Sequence, residues 1–517
     1  MARFSWVCLA FAMATTTPAV AGGINTNTNQ NVAFLRNCAR DAVIGIDGAY
    51  TNPAGVVFLP EGLYVSTNWQ IASQTRTINN DYALFNNNEN NPTTSRDFSG
   101  KAFVPVLPSF QVALNRGRFS FQSNLSVGGG GGKCKFDDGL GSFERIVSET
   151  AMAACGLAGA IDQELAGAID QTTWQPIFTS KKMFGSQGKY SFNSYMHGRQ
   201  YYYGLSLGAA YKVTNNLSAY AGVRGVYALC NYYGYVRNIQ VGSVPLYSVL
   251  DPTKTNSADI ELNCDQQGIG FTPILGVDFR LGRWNFAAKY EFKTRIRLKN
   301  ESVNQAPSIG NLPANLEKAF EANGVPAAQA EAILSSPKVA GTMAALKTQF
   351  NKELGQAIGQ YEDGRKIAAD LPAILTAGVG YNPIDPLRLS VGFHYYWDKQ
   401  ASQYLHKEDK LDRGTIEYNA GAEFDASKLV TVSAGWQRTS YGLTPEYMED
   451  KSFVTSSNSL GCGAKLNVSK KVSVNVAYFV TFYGHEKTSE TSALGIEYKS
   501  DYTRTNNVWG VGVDLKL

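Results

Sequence analysis

Beyond residue 21 the chain lacks any run approaching the about 18 consecutive apolar residues that a membrane-spanning helix requires, which excludes helical spans. It also lacks a linker, a composition break or a low-complexity seam, although 517 residues would ordinarily divide into several soluble domains. An excess of one charge is missing too. The 47 Lys and Arg against 43 Asp and Glu leave a formal +4, too little to argue for a nucleic-acid partner. No C-x-x-C pair occurs, and His197, His394, His406 and His485 do not cluster, so no metal site is expected.

Catalytic motifs fail on inspection. "GLSLG" (Gly204–Gly208) fits G-x-S-x-G, but Ser206 lies inside a continuous strand, where a nucleophile elbow needs a strand, a sharp turn and a helix. "VGGGGGKC" has Val127 where a phosphate loop needs its first glycine, and Cys134 where it needs Ser or Thr. His394 has inward parity and no evident Ser or Asn partner. Neither an enzyme nor a cofactor is expected.

What is present starts with "MARFSWVCLAFAMATTTPAVAGG". Arg3, the apolar stretch Phe4–Ala14 and the small-residue site Ala19-Val20-Ala21 predict a secretory signal peptide over residues 1–21. Cys8 has no lipobox behind it. The exported remainder is rich in Gly (50), Tyr (28) and Phe (26), with slightly negative mean hydropathy. That balance suits an outer-membrane barrel, in which one face of each strand meets water.

Period-two alternation recurs along the chain. In "VSVNVAYFVTFY", Val472, Val474, Val476, Tyr478, Val480 and Phe482 share one parity, and only Phe479 interrupts the polar row. "LRLSVGFHYYWDK", "WNFAAKYEFKTRIRLK" and the terminal "NNVWGVGVDLKL" repeat the pattern. Short turns at Asn115–Gly117, Asn215–Asn216, Gly282–Arg283, Asn382–Pro386, Asp425–Ser427 and Ser469–Lys471 alternate with longer links. The long links fall around 73–98, 129–188, 237–258, 300–365, 399–412, 440–452 and 485–501. Short turns on one side and long loops on the other predict a transmembrane antiparallel barrel of about fourteen strands over residues 61–517. Within the loops at about 129–188 and 300–365, helical segments are predicted, from Ser142 to Ala168 and with Met343, Leu346, Phe350, Leu354 and Ile358 at helical spacing. Such helices either pack on one another to order the loops or form an apolar perch above the pore.

Residues 22–60 precede the first strand, and "NVAFLRNCARDAVIGIDGAYTNPAGVVFLP" is too apolar for a free tail. It reads as a hatch, or plug, folded into the lumen. Here the chain resembles the FadL/TodX-type family of outer-membrane transporters for long-chain fatty acids and other hydrophobic compounds. The resemblance rests on Ala39–Asp41, Gly48–Tyr50, the "NPAG" of Asn52, Pro53, Ala54 and Gly55, and "DLPAILTAGVGYNPIDPLRLSVGFHYYWDKQ" (Asp370–Gln400). It implies a fourteen-stranded barrel closed by the hatch, and a kinked third strand through which ligand leaves sideways. The corresponding strand is Arg118–Gly132, where Asn124, Ser126 and Gly128 are poor strand formers. The run Gly128–Gly132 itself reads as the mouth of a flexible loop. One departure is Leu517, where these barrels commonly end in an aromatic residue read by the barrel-assembly machinery.

The expected function is passive uptake of hydrophobic or amphiphilic molecules, fatty acids among them, by a monomer in the outer membrane of a Gram-negative bacterium. A porin for polar solutes and a non-transporting adhesin or structural barrel are the alternatives. Arg224, Lys289 and Lys293 share lumen parity and are candidates for an anionic head group, or else members of a salt-bridge ladder; Phe34 and Leu35 are candidates on the hatch. Arg295, Arg297 and Lys299 fall at the outer rim, suited to lipopolysaccharide phosphates. Disulfides are expected at Cys230–Cys264 and Cys134–Cys155, stiffening outer loops; Cys38 and Cys462 are unassigned.

Overall fold

The computed structural model describes residues 23–26, 31–168, 184, 187–308, 311–322, 324–337, 339–341, 343–344, 347–348, 359–492 and 494–517. The predicted signal peptide, and Leu346, Phe350, Leu354 and Ile358 of the second helical insertion, lie outside them. All strands join one antiparallel sheet, which closes because β1 (Gly62–Tyr82) pairs with both β2 (Ser95–Arg116) and β18 (Glu497–Lys516). Between these run β3 (Phe119–Phe136), β4 (Tyr190–Lys212), β5 (Leu217–Val241), the two-residue arm β6 (Val244–Pro245) and β7 (Ile260–Leu281). One stave is split into β8 (Trp284–Glu291) and β9 (Arg297–Ser302), and the next into β10 (Lys366–Ala368) and β11 (Ile374–Ile384). Then follow β12 (Leu387–Tyr396), β13 (Ile416–Asp425), β14 (Val430–Ser440), β15 (Ser457–Asn467), β16 (Val472–Tyr483) and its outward continuation β17 (Glu486–Thr491). Counted as staves these make a closed barrel of fourteen.

Side-chain alternation puts the apolar rows outside. Trp69, Phe110, Leu125, Leu205, Phe271, Leu275, Trp436, Val476 and Trp509 are all exposed on the outer surface, whereas Gln111, Asn124, Ser206, Thr272, Gln437, Asn475 and Ser500 are buried. An outward band of this kind, on a barrel with no free edge, is the surface that hydrocarbon solvates. Phe479, the exception in its row, points inward with no exposure and meets Phe34 of the N-terminal segment at 5.9 Å between ring centroids.

The strands outrun the sequence reading. β1 and β2 continue to Tyr82 and from Ser95, so the first outer link is 83–94, not 73–98. β3 runs through the glycines to Phe136, which corrects the reading of Gly128–Gly132 as a loop mouth. The link expected at 485–501 is the β17–β18 hairpin. Besides the strands, α1 (Val32–Arg36) belongs to the N-terminal segment and packs on the inner face of the wall. Above it, α2 (Gly141–Ala168), α3 (Leu246–Leu250), α4 (Leu312–Ala322) and α5 (Ala327–Leu334) bury Ile146, Val147, Leu246, Leu316, Phe320 and Ile333 in one cluster. The loop helices therefore pack on one another. The start of α2 is tied to the barrel mouth by Ser142 N–H donating to Asp450 at 2.7 Å and by the Arg96–Glu144 ion pair at 2.6 Å.

Neither expected disulfide is formed: Cys134, Cys155, Cys230 and Cys264 carry no disulfide bond, nor do Cys38 and Cys462. Cys230 stands opposite Gln266 and Cys264 opposite Tyr232, so the two are diagonal neighbours rather than partners. Such diagonals are about 7–8 Å apart, beyond easy disulfide reach. Cys134 packs in the lumen wall, while Cys155 packs among the loop helices.

If the outer rows face hydrocarbon, depth governs the cost of a charge. Leu275→Lys, in the middle of the β7 row, is expected to lower folding stability in phospholipid vesicles by about 2–4 kcal/mol, and Leu281→Lys at the inner edge by about 1 kcal/mol or less. Denaturant titration of both variants measures the difference.

Candidate functional site

Residues 31–60 lie inside the barrel, and the wall is shaped to receive them. Glycines at inward positions let backbone meet backbone. A Cβ at Gly435 would stand 2.7 Å from the Cys38 nitrogen, one at Gly378 2.8 Å from the Ala42 nitrogen, and one at Gly510 2.7 Å from Leu35. Gly421, Gly461 and Gly463 face Asn37, Leu35 and Arg36 in the same manner. Any larger side chain at these places would occupy the segment's own volume. Phe34, Leu35, Val32 and Cys38 then pack on Ala477, Phe479 and Val508.

Polar locks supplement the packing. Arg36 and Arg40 both reach Glu423 of β13, at 2.5 and 2.9 Å, and Arg40 also holds Asp47 of its own segment at 2.7 Å. Asp41 accepts from His394 Nε2 at 3.0 Å, while His394 Nδ1 lies 2.9 Å from Glu417. The "NPAG" residues are all engaged. Asn52 donates to Asp278 at 2.6 Å and accepts from Gly55 N–H, Pro53 C=O accepts from Gln122, and Ala54 C=O accepts from Ser218. Buried ionic partners of this sort matter most when one is removed, at about 3–5 kcal/mol per orphaned charge.

Two of the three candidate cations belong to this locking system. Arg224 makes a two-pronged pair with Glu291 at 2.7 and 3.1 Å and also reaches Ser206. Lys289 bonds Glu291 and the Tyr50 carbonyl, both at 2.8 Å, and stands over the Tyr50 ring. Lys293 is not with them. Parity shifts where the stave breaks between β8 and β9, so its amine reaches the Gln400 carbonyl at 2.9 Å and lies 3.8 Å from Asp370. The salt-bridge alternative describes Arg224 and Lys289; Phe34 and Leu35 are packing residues. At the rim, Arg297 is held by Asp370 at 2.6 Å.

Above the N-terminal segment lies a cavity of about 210 Å³ bounded by β1–β4, β18 and residues 23–26. Ala72, Val104, Leu107, Val127, Phe453 and Val508 give it apolar walls. Arg76 and Arg504, directly opposed on β1 and β18, project into it. Arg76 bonds Gln74 and Arg504 stacks over Tyr483, but no carboxylate of the described residues pairs with either. The Arg504 Nε is buried without a hydrogen-bond partner. The sequence reading missed both; their signal was lumen parity in "SQTRTINND" and "DYTRTNN".

The same cavity meets a break in the barrel wall. β2 and β3 pair from Arg116–Phe119 up to Ser109–Ser126, and again at Ala102–Cys134, but not between. Pro105 and Pro108 bring no N–H to the unpaired part of β2. Opposite them, Gly130 and Gly132 adopt φ of +80° and +79°, a region that side chains resist. Gly129 faces Ile24. Trp69 Nε1 caps one orphan, the Pro105 carbonyl, at 2.9 Å. Asn124 and Ser126, by contrast, are fully paired with β2 and β4. The break starts after them and includes Gly128.

Cys38, almost fully buried, reports on the docking of this segment. With Cys134, Cys155, Cys230, Cys264 and Cys462 replaced by alanine, Gly435→Leu is expected to raise its maleimide labelling rate at least tenfold, while heat-modifiable gel mobility confirms an intact barrel. Unchanged labelling in a folded variant would contradict the packing described.

No protein-family model matches the chain, and no curated protein matches it in sequence. Solved structures do. A FadL homologue from Pseudomonas aeruginosa aligns over 96% of this chain and 99% of its own, at 14% identity and a TM-score of 0.57. A TodX deltaS2S3 mutant, a monoaromatic hydrocarbon channel, aligns over 92% and 95%, at 11% identity and a TM-score of 0.50. At such identities the likeness is one of architecture. The chain has the FadL/TodX-type fold, the one whose sequence motifs its residues 39–55 and 370–400 resemble.

Proposed function

We propose that the protein is an outer-membrane channel for amphiphiles that carry an apolar tail and an anionic head, long-chain fatty acids being the natural class. The observation that carries this reading is the pair Arg76 and Arg504: two guanidinium groups with no carboxylate partner among the described residues. They are directly opposed in a cavity that has apolar wall on one side, from Ala72, Val104, Leu107, Val127 and Val508, and polar side chains such as Gln74, Gln200 and Asn506 elsewhere. Burying cations without counter-ions is costly unless a ligand supplies the negative charge. A monoaromatic hydrocarbon would offer them a ring face but no negative charge to offset their repulsion.

The unpaired stretch of β2 and β3 supplies the exit. Val104, Leu107, Val127, Gly129, Gly130 and Gly132 line the cavity and the break together, so a tail lying against them is already at the wall. The hatch blocks the axial route through its contacts with β11–β16 and β18. Its displacement, with Phe34, Leu35, Asn52 and Pro53 leaving the wall, would also withdraw residues 23–26 from the cavity. No nucleotide motif is present, so solute moves down its gradient.

Lys451, on the β14–β15 loop, also lines the cavity, and burial pulls its amine down to about 8 despite Glu449 and Asp450. Below that pH it is an ammonium and adds to the attraction for an anion; above it the charge is lost. Binding of a fluorescent fatty acid to purified protein is therefore expected to weaken as pH rises through about 8, and Lys451→Met should flatten that dependence. In cells lacking the protein, Arg76→Gln/Arg504→Gln is expected to restore long-chain fatty-acid uptake at least tenfold less well than the natural chain. Uptake of the matching long-chain alcohol should be spared. Equal restoration of both by the variant would refute the anionic-head assignment.

A further inference from the structure

A second basic cluster stands on the outside of the barrel, directly above the break. Where the β2–β3 ladder resumes, Lys101 is opposite Lys135. Lys135 is in turn opposite His197 on β4, and Lys133 is opposite Arg199. Lys101, Lys133 and Lys135 are exposed, and no carboxylate of the described residues pairs with any of these three or with Arg199. The Arg199 Nε is buried without a hydrogen-bond partner. His197 is occupied by Tyr195 and Asn231. Acids on the same face are Asp97, which accepts from Asn79, Asp137, just past the end of β3, and Asp265, two strands from Arg199, which accepts from Asn231. Like charges directly across a ladder destabilise it. Here they are stacked in successive registers, and the rim holds them without an internal counter-ion.

Their height identifies what faces them. On β2 the outward apolar positions run from Leu114 to Phe103. With about 3.3 Å of rise per residue and a tilt of about 40°, that is roughly 28 Å of height, close to the about 25 Å apolar band of such barrels. Phe103, Tyr201 and Tyr203 form the aromatic edge of that band, and Lys101 and Arg199 lie one outward step beyond it. Lipid phosphates occupy that level.

We propose that Lys101, Lys133, Lys135 and Arg199 bind the phosphoryl groups of a phosphorylated glycolipid of the outer leaflet. The bound lipid would clip β2 to β3 at the upper margin of the break. The assignment rests on the outer-membrane placement proposed above, but not on what the lumen carries. A phosphate between Lys101 and Lys135 replaces repulsion by two charge-assisted contacts, holding the strands together where their own ladder has just failed. The rim cluster Arg295, Arg297 and Lys299 is different in kind, since Arg297 already has Asp370.

Native mass spectrometry of the purified full chain, exchanged into detergent with phosphorylated glycolipid or its enzymatically dephosphorylated form, tests this. The natural chain is expected to retain the phosphorylated form at least tenfold better than the dephosphorylated one. Lys101→Gln/Lys135→Gln/Arg199→Gln should lose that preference, and Arg295→Gln/Arg297→Gln should keep it. Heat-modifiable mobility verifies folding of each. Equal retention by the triple variant, or no preference for phosphate, overturns the proposal. Displacement of the lipid by an equal concentration of inorganic phosphate also overturns it, since that would mark a free-anion site. Because no uptake is measured, failure here is distinguishable from failure of the Arg76 and Arg504 assignment.

Discussion

In hydrocarbon every backbone N–H and C=O has to find a partner within the protein, because water is absent. That requirement closes β1 onto β18 and fixes the alternation of apolar and polar rows. It also makes any interruption costly, so an interruption that persists has been built in. Here the sequence disfavours pairing on both sides: Pro105 and Pro108 bring no N–H on one strand, and the five glycines on the other let it take the positive φ at Gly130 and Gly132. The Trp69 indole supplies a donor to one of the orphaned carbonyls. A weak ladder alone would fray; this one is unzipped over a short stretch and paired above and below it.

The same dielectric logic governs the interior. A barrel of fourteen staves is too wide for its own side chains to fill. The N-terminal segment fills the lower part, and it stays because its charges are matched one by one: Arg36 and Arg40 by Glu423 and Asp47, and Asp41 by His394. The wall contributes Glu291 for its own Arg224 and Lys289. Inward glycines bring the two backbones close enough for these short links. Packing and charge thus act together, and neither would position the segment alone.

Much of this was legible in the sequence. Alternation with aromatic rows gave the strands, and the regular spacing of tight turns gave their number. The Phe479 break in parity was a signal too, since an aromatic on a lumen row needs something to pack against. Side-chain depth and partnership were not legible. Parity assigned Arg224 and Lys289 to the lumen but could not show Glu291 between them, and it failed at Lys293 because the stave is broken there. Cys230 and Cys264 sat at plausible heights, yet a two-residue offset in register, invisible without the pairing, sets them on a diagonal. The glycine run was misread because glycine marks both loops and close approach, and only the neighbour, Ile24, distinguishes them.

Charge accounting in the lumen then separates structure from function. Where a cation has a carboxylate within reach, its role is fulfilled within the fold and a ligand would have to displace that partner. By that criterion Arg36, Arg40, Arg224 and Lys289 hold the hatch and the wall. Arg76 and Arg504 fail it: they oppose one another across a ladder, a placement that costs free energy in the empty protein. A site destabilised when empty and relieved by an anion would favour that anion, as proposed above, because an uncharged solute of the same shape leaves the repulsion in place. The break between β2 and β3 lies beside these two residues, so an anion that relieved the repulsion would rest with its tail against that unpaired stretch.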